Sequence, residues 1–431
     1  MTDGWRPTDA LLRAALGSLT LVLVAVLAGR PDLLVLATPL LVMAAAAVVR
    51  RPRTVPRVSN RLLHTSVREG EGTAVRTTFH GADDVEHAVV LMSPHRWLAW
   101  KPPSAARGMT ARRQREELTV DVPVASNRWG RRTLGDGLAG ATSGWAGFRW
   151  GPEPLPAATL TTLPLPGRFG ANAPTPHPIG LVGTNPARRR GEGSEFAGIR
   201  PFQPGDRLRR LHWPVSLRTG ALHVTSTVAE EDSSLLLVVD SGIEIGVSGG
   251  LRGAASSLDV AVRAAGALAE HYLRRGDRVG LRVLGSTAHN ALRTSAGRRH
   301  LRRVLDTLAR IVPGENRRAD PSRMHFGVSG GTVVIMLSPM LSDQAVTTTV
   351  TLARRGLDVV VVDTIPEHLE LAEDDARARL AWRMRLLERE ALLRRVRLAG
   401  IPVVAWRGPG TLDEVLWNLG RRAYLPTLVR R

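Results

Sequence analysis

The 431-residue sequence contains no cysteine, a single lysine (Lys101) and few aromatic side chains, which make up 4% of the chain. Without cysteine, disulfides and thiolate metal sites are excluded, and a cytosolic environment fits this absence. The formal net charge of +20 is carried almost entirely by arginine and is spread from end to end of the chain. A protein that binds nucleic acid normally concentrates its positive charge, so we do not expect nucleic acid as the main partner.

Two uncharged apolar runs stand near the start of the chain, at 14–29 and 33–49, with Arg30-Pro31-Asp32 between them. Each run approaches the lower limit of about 17 residues for a helix that spans a membrane. The runs therefore predict a two-helix membrane anchor joined by a tight turn. A cleaved signal peptide ending near Ala28 is the alternative, and a second apolar run directly after it argues against that interpretation.

Arginines flank the two runs on their outer sides: Arg6 and Arg13 before the first, and Arg50, Arg51, Arg53 and Arg57 after the second. The turn between the runs carries one arginine and one aspartate. The positive-inside rule places both ends of such a hairpin in the cytoplasm. We therefore expect a two-pass protein of the cell membrane whose soluble domains face the cytoplasm.

Residues 54–166 read as short β-rich runs, such as REELTVDVPV and AATLTTLPLP, separated by Gly, Pro and Asp. This pattern predicts antiparallel strands in a β-rich, sandwich-like domain. Five tryptophans occur here, and they either form a ligand surface or fill the core, which we favour. They are Trp97, Trp100, Trp129, Trp145 and Trp150.

From residue 233 to 431 the pattern changes to apolar strands alternating with helices, beginning with SSLLLVVD at 233–240. Continuous Val/Leu strands alternating with helices predict an α/β domain with a parallel sheet covered on both faces. Ligands of such sheets bind at the carboxyl ends of the strands, where Asp240, Ser338 and Asp363 stand. No phosphate-binding glycine motif follows the first strand, so nucleotide binding in the usual manner is not expected.

The stretch EFAGIRPFQPGDRLRRLHW, at 195–213, lies in a connector that spans 167–232. Its residues Gln203 to Asp206 suit a type II turn, and Trp213 precedes Pro214, which favours an extended conformation. We predict an ion-paired clasp in which the turn and the tryptophan are held against the α/β domain by buried pairs. The acids are Glu195 and Asp206, and the arginines within reach are Arg200, Arg209, Arg210 and Arg218. A docking surface is the alternative.

Catalysis is the remaining interpretation of this stretch, with Glu195, Asp206 and His212 as acid–base groups. No nucleophile paired with a base is visible beside them. Carboxylates next to arginines are usually ion-paired, so we expect no enzyme activity.

The same stretch resembles domain-of-unknown-function family fifty-eight. Matching positions are Gly193, Glu195, Phe196, Arg200, Gly205, Asp206, Arg209, Trp213 and, in the following element, Arg218. Phe202 stands where the family usually has Tyr, and Leu211 where it usually has Ile. The resemblance implies a bacterial membrane-anchored protein with a C-terminal von Willebrand factor A-like domain. It also implies a MoxR-type AAA+ ATPase as partner, in the assembly or activation of client proteins.

A von Willebrand factor A-like domain often binds a divalent cation such as Mg²⁺ through a D-x-S-x-S motif, since Mg²⁺ prefers hard oxygen ligands. Here Asp240 matches, Gly242 lacks a side-chain oxygen and Glu244 replaces the second serine. We therefore expect Asp240 and Glu244 to form a degenerate site, and we expect no cofactor.

These observations predict four parts: an anchor at 1–53, a β-rich domain at 54–166, the connector at 167–232 and the α/β domain at 233–431. The favoured function is a membrane-anchored interaction or scaffold protein. Alternatives are arginine-mediated binding of anionic lipid or nucleic acid, and metal-dependent ligand binding of the adhesion type. An apolar stripe on the long helix near 373–399 is either a partner-binding ridge or core-facing, which we favour. The stripe consists of Leu380, Met384, Leu387 and Ala391.

Overall fold

The chain forms two compact units, Met1–Leu163 and Pro164–Arg431. The computed structural model describes residues 4–101, 109–112, 118–167, 169–170, 186–203, 206, 208–230, 234–285, 291–314, 326, 332–373 and 375–417; at 109–112, 186–197, 209 and 227–230 it describes the backbone alone. The predicted division into four parts stays a prediction.

Two apolar helices open the first unit, α1 (Asp9–Leu27) and α2 (Asp32–Val49). Both are long and apolar enough to cross a membrane, with mean hydropathies of 2.2 and 2.3, and only 22% and 17% of these segments are buried. A helix in the core of a soluble unit would be covered by its neighbours on most sides. The predicted hairpin is therefore present as two apolar helices that face outward.

The start of the hairpin is fastened to the sheets of the same unit. Strand β1 (Arg6–Pro7) pairs antiparallel with β11 (Phe148–Pro154), and the Thr8 amide donates a hydrogen bond to the Gly147 carbonyl at 3.0 Å. A side chain at Gly147 would place its Cβ 2.6 Å from that of Ala47 on α2. Only glycine allows this close approach between the loop before β11 and the second helix.

The remaining strands of this unit form a β-rich body. They are β2 (Arg57–Leu62), β3 (Ser66–Arg68), β4 (Gly72–His80), β5 (Val85–Leu91), β6 (Leu98–Trp100), β7 (Met109–Arg112), β8 (Leu118–Ser126), β9 (Gly130–Leu134), β10 (Leu138–Ser143) and β12 (Ala158–Leu163). One sheet has the order β1-β11-β10-β5-β7, a second β2-β4-β8-β6, and a third β3-β12-β9. Buried residues alternate along the strands, and the first two sheets share one hydrophobic core that includes Val75, Val90 and Val122. This agrees with the predicted sandwich-like domain.

The five tryptophans of this domain differ in burial. Trp100, Trp129 and Trp150 are buried, so the core interpretation is confirmed for these three. Trp97 is half-buried. Trp145 is 54% exposed, and for this residue the core interpretation is wrong.

The second unit carries the α/β sheet. Its elements are β13 (Pro186–Pro201), α3 (Trp213–Thr219), β14 (His223–Glu230), β15 (Ser234–Asp240), α4 (Ser257–Arg274), β16 (Arg278–Leu284), β17 (Ala291–Ser295), α5 (Arg298–Ala309), β18 (Thr332–Ser338), α6 (Asp343–Arg354), β19 (Asp358–Asp363), α7 (Ala376–Leu398) and β20 (Val403–Ala405). The six-stranded sheet has the order β17-β16-β15-β18-β19-β20. The central strands β15 and β18 are almost wholly buried, as strands covered on both faces must be.

Five of these six strands are parallel, as predicted, and the sixth is not. Edge strand β17 runs antiparallel to β16. The sheet is therefore mixed. The β16–β17 pair is antiparallel because the chain between these strands is too short for the helical crossover that a parallel pair requires. Strands β13 and β14 form a separate antiparallel pair that precedes the sheet in the chain.

Candidate protein-interaction surface

The motif stretch is organised by one ion pair. The Arg200 guanidinium donates two hydrogen bonds to the Asp206 carboxylate, from Nη1 to Oδ2 at 2.7 Å and from Nη2 to Oδ1 at 2.6 Å. The Gln203 amide donates to Asp206 Oδ2 at 2.8 Å, and the Asp206 amide donates back to the Gln203 carbonyl at 3.0 Å. Asp206 thus closes the turn and ties it to the end of β13. Pro204 and Gly205 lie outside the described residues.

Charge stabilises this arrangement in a partly exposed setting. The Arg200 hydrogen bonds, the Gln203 amide and the nearby positive charge of Arg210 hold the pKa of Asp206 below its usual value. The hydrogen bonds to Asp206 likewise raise the pKa of Arg200. The side chains remain 31% and 18% exposed. The expectation of a buried pair is therefore wrong, because the turn lies at the surface of its unit.

Helix α3 follows the turn, and its start differs from the prediction. His212 is the N-cap, and its Nδ1 accepts a hydrogen bond from the Val215 amide at 3.3 Å. Trp213 is the first helical residue rather than an extended one. Proline is tolerated in the first helical turn because its missing N–H would have no partner there. The helix ends at Gly220, which adopts the left-handed conformation.

Trp213 and Leu217 lie one helical turn apart on the outside of α3, 59% and 80% exposed. We call this pair the α3 face. The prediction that the tryptophan is held against the α/β domain is wrong. The α3 helix is attached through its other side, where the Ser216 hydroxyl receives the His223 amide at 2.8 Å. Leu208, just before α3, is also 68% exposed.

The other motif residues are placed as follows. Gly193, Glu195 and Phe196 lie in β13, with side chains outside the described set. The side chain of Arg209 is likewise outside it, although its backbone forms a short helical turn before α3. Arg218 is exposed in the last turn of α3. Of the predicted ion pairs, the described residues show that between Asp206 and Arg200.

Asp240, the first candidate metal ligand, is buried at the carboxyl end of β15. Its Oδ2 accepts a hydrogen bond from the Ser338 hydroxyl at 2.7 Å and its Oδ1 accepts the Gly242 amide at 3.0 Å. Burial raises the pKa of Asp240, and these two hydrogen bonds oppose that effect. Both carboxylate oxygens of Asp240 therefore already accept hydrogen bonds from groups of the protein.

Glu244, the second candidate, accepts a hydrogen bond from the hydroxyl of Ser256, which caps α4. Gly242 lies between the two acids, and Gly285 at the end of β16 packs against it so closely that a Cβ there would be 2.9 Å from the Gly242 backbone. Among the described residues no group of three or more His, Cys, Asp or Glu side chains is placed to hold a metal ion. This geometry does not fit a divalent cation, which needs several convergent oxygens. That the protein holds no cofactor stays a prediction.

The carboxyl edge of the sheet is contacted by Arg389, from the second half of α7. Arg389 Nη2 lies 2.5 Å from Asp363 Oδ2, and Arg389 Nε donates to the Pro339 carbonyl at 2.7 Å. These contacts occupy the strand ends where a ligand of an open α/β sheet would bind.

The first two thirds of α7 present an apolar stripe to solvent. Leu380, Met384 and Leu387 are 59%, 58% and 75% exposed, and Ala391 is exposed as well. The favoured core-facing interpretation is therefore wrong. Only Leu393 and Val396, on the last part of the helix, are buried.

The sequence contained a signal for α3 that the prediction did not use. Pro214 near a helix start and Gly220 just after its end form the usual asymmetry of helix termini. Seven residues with these limits indicate a short helix, and Trp213 and Leu217 then fall on one face of it.

The structure defines a class of protein: an apolar helical hairpin, a β-sandwich, and a mixed α/β sheet preceded by an ion-paired turn and an exposed short helix. Residues 198–379 match the family model described as "Protein of unknown function DUF58". The resemblance drawn from the motif is thereby confirmed over these residues, and the von Willebrand factor A-like fold and the MoxR-type partner that it implied stay predictions. The match begins after Gly193, Glu195 and Phe196.

Curated relatives lie in mycobacteria. The chain is 32% identical over 121 residues to the uncharacterized proteins Mb1516 of Mycobacterium bovis and Rv1480 of Mycobacterium tuberculosis. The alignment covers 28% of this chain and 37% of each relative.

Proposed function

We propose that this protein is a membrane-anchored interaction module that docks a MoxR-type AAA+ ATPase and assists the assembly or activation of client proteins. The observation that carries the proposal is the α3 face. Trp213 of the motif and Leu217, one helical turn after it, are turned to solvent on a short helix that is hydrogen-bonded to β14 on its other side. Exposed aromatic anchors are the side chains that most often dominate protein–protein binding energy.

Membrane attachment is supported by α1 and α2. Their outward-facing apolar surfaces have little protein cover, and arginines flank the outer ends of both helices. In the proposed topology the hairpin crosses the cell membrane twice, and both units face the cytoplasm.

The stripe on α7 supports docking at a second place. Arginines surround the stripe, and acids on this helix are limited to Glu388 and Glu390. An apolar stripe framed by positive charge fits a partner with an apolar groove and an acidic rim. We propose that the client or the ATPase presents such a groove.

We propose that the module acts without catalysis of its own. Asp206 is held by Arg200, and His212 Nδ1 caps α3. Two of the three candidate acid–base groups thus have structural roles, and the third, Glu195, has a side chain outside the described residues. Turnover by the purified protein that is lost on Asp206→Asn would contradict this part of the proposal.

The test is a capture experiment with the full chain in membranes as bait and a co-expressed MoxR-type ATPase as prey, with and without ATP. The test variant is Trp213→Ala/Leu217→Ala. Truncating one anchor of an interface costs about 2 kcal/mol or more, so capture should fall by about 30-fold.

A matched control is available on the same unit. Trp417 is 53% exposed, close to the 59% of Trp213, and it lies outside α7. Trp417→Ala removes the same atoms as Trp213→Ala from a solvent-exposed position and should leave capture unchanged. Equal capture by Trp213→Ala, Trp417→Ala and the unmodified protein would refute docking through the α3 face.

A further inference from the structure

A cleft of about 850 Å³ opens where α2 ends, between the hairpin and the edge of the sandwich in the first unit. Val49, the last residue of α2, contributes to its wall, so the cleft lies at the level where the apolar part of the hairpin stops. Its lining includes three arginines, Arg50, Arg51 and Arg53, and an exposed tryptophan, Trp145. The cleft is distinct from the α3 face and from the carboxyl edge of the α/β sheet.

The carboxylates of the cleft are already engaged. Asp84 Oδ2 accepts hydrogen bonds from the Arg53 amide at 2.7 Å and from the Thr54 amide at 3.1 Å. Glu86 Oε2 accepts the Trp145 amide at 3.1 Å, and Asp83 also has a partner. These acids fix the backbone of the cleft.

Two arginines of the cleft have no ion-pair partner among the described residues. Arg50 and Arg51 directly follow α2, and both are exposed. Arg51 lies over the Phe148 ring, 5.9 Å from its centroid. Among the residues that the structure describes, neither guanidinium forms an ion pair with an acid. The cleft therefore offers two cationic groups with unused donors.

Trp145 is held out of the core by a strained loop. It has φ 60°, and the next residue, Ala146, has φ 50°. Left-handed conformations cost non-glycine residues about 1 kcal/mol or more each, so the loop persists only because its surroundings fix it. The Thr8 hydroxyl donates to the Ala146 carbonyl at 2.6 Å, and the Phe148 amide donates to Ser143 Oγ at 3.0 Å. An exposed indole at the end of a membrane helix suits the headgroup region.

We propose that this cleft binds the phosphate headgroup of an anionic phospholipid from the leaflet in which the hairpin ends. Arg50 and Arg51 donate hydrogen bonds to the phosphate, and Trp145 lies at the level of the lipid's glycerol. Guanidinium groups match phosphate geometry in pairs of hydrogen bonds. Basic pockets beside membrane helices are a recurrent place for such headgroups. The proposal rests on the membrane anchoring of the proposed function.

The test uses the full chain in nanodiscs that contain phosphatidylglycerol and phosphatidylcholine at equal mole fraction. Native mass spectrometry of the released protein then counts which lipid remains bound. The test variant is Arg50→Gln/Arg51→Gln. The control is Arg61→Gln/Arg131→Gln, which removes the same charge from exposed arginines of the same unit outside the cleft.

We expect the test variant to retain phosphatidylglycerol about 30-fold less than the unmodified protein, because each arginine near an anionic surface contributes about 1 kcal/mol. The control should retain it fully. Arg50→Gln alone should give part of the loss, and it leaves the contact between Arg51 and Phe148 in place.

Three results would overturn the proposal. One is equal retention by the test and control variants. Another is equal retention of the two lipids by the unmodified protein. The third is displacement of the lipid by millimolar inorganic phosphate, which would make the site one for free phosphate. A chain that does not insert into these nanodiscs would instead refute the membrane anchor itself.

Discussion

Arg389 joins α7 to the carboxyl edge of the α/β sheet, and replacing it with alanine should destabilise the second unit. Its side chain is 11% exposed and that of Asp363 is 20% exposed. In Arg389→Ala the Asp363 carboxylate would keep the Ile365 amide at 3.0 Å and lose its charged partner. The Pro339 carbonyl would lose the Nε–H donor as well.

Breaking a fully buried ion pair by removing one partner costs about 3–5 kcal/mol, and the Arg389–Asp363 pair is partly buried, with the arginine the more enclosed of the two. We expect the lower end, about 3 kcal/mol, because Asp363 retains one hydrogen bond and some contact with water. For a unit of this size, about 2–4 °C accompanies each kcal/mol, so the unfolding midpoint should fall by about 6–12 °C. Circular dichroism or differential scanning fluorimetry of the detergent-solubilised full chain measures this midpoint.

Arg397→Ala is the control on the same helix. Arg397 pairs with Glu390 at 2.7 Å, and both side chains are about half exposed, at 54% and 52%. An exposed pair contributes about 0–1 kcal/mol, so this variant should barely move the midpoint. In addition, Arg389→Ala/Asp363→Ala should lose less than the sum of its single variants, since no buried charge is left unpaired. Equal shifts for Arg389→Ala and Arg397→Ala, or strict additivity in the double variant, would refute the reasoning.

Three further outcomes are expected. The folded-state pKa of Asp206 is depressed, so its contribution to stability is complete above its unfolded pKa of about 3.9 and is lost as the pH falls through the folded pKa. The difference in unfolding midpoint between the unmodified protein and Asp206→Asn should therefore shrink on acidification. A difference that does not depend on pH would contradict this. The Tyr272 hydroxyl is buried without a hydrogen-bond partner among the described residues, so Tyr272→Phe should be neutral or stabilising by up to about 1 kcal/mol in thermal unfolding. A loss of stability of about 1 kcal/mol would contradict this prediction. Gly285 has φ 80° and faces the Gly242 backbone, so Gly285→Ala should lower the free energy of unfolding by more than about 1–3 kcal/mol. The control is Gly297→Ala, because Gly297 has φ 90° with open space around it and its substitution adds the backbone strain without the clash. Equal losses of stability in the two variants would contradict the contact between Gly285 and Gly242.

Much of the fold could be predicted because its signals are local. Uncharged runs long enough to span a bilayer predicted α1 and α2, and continuous Val/Leu runs between helical segments predicted the five parallel strands. The short strand β17 escaped prediction because its sequence, ALRTS, is mostly polar and has no strong period. An edge strand is covered on fewer sides, so little in its composition distinguishes it from a loop.

The sequence predicted where the candidate site lies along the chain, but it predicted the burial of the site's residues wrongly. The motif correctly indicated a turn that ends at Asp206 and an arginine partner for this acid. It left four arginines open as that partner, and the structure selects Arg200. Burial was misjudged for Trp213 and for the stripe that begins at Leu380. An apolar pattern of helical period is the same whether the face meets a core or solvent.

The sequence by itself determined the apolar hairpin, the β-rich and α/β character of the two units, and the similarity of residues 198–379 to the family model. These depend on composition, period and local motif. Only the tertiary structure decided that the α3 face is exposed, that Arg389 reaches Asp363, and that Arg50 and Trp145 line one cleft. Such features depend on which distant segments pack together, and non-local packing decides both the cover of an apolar face and the partner of a charge.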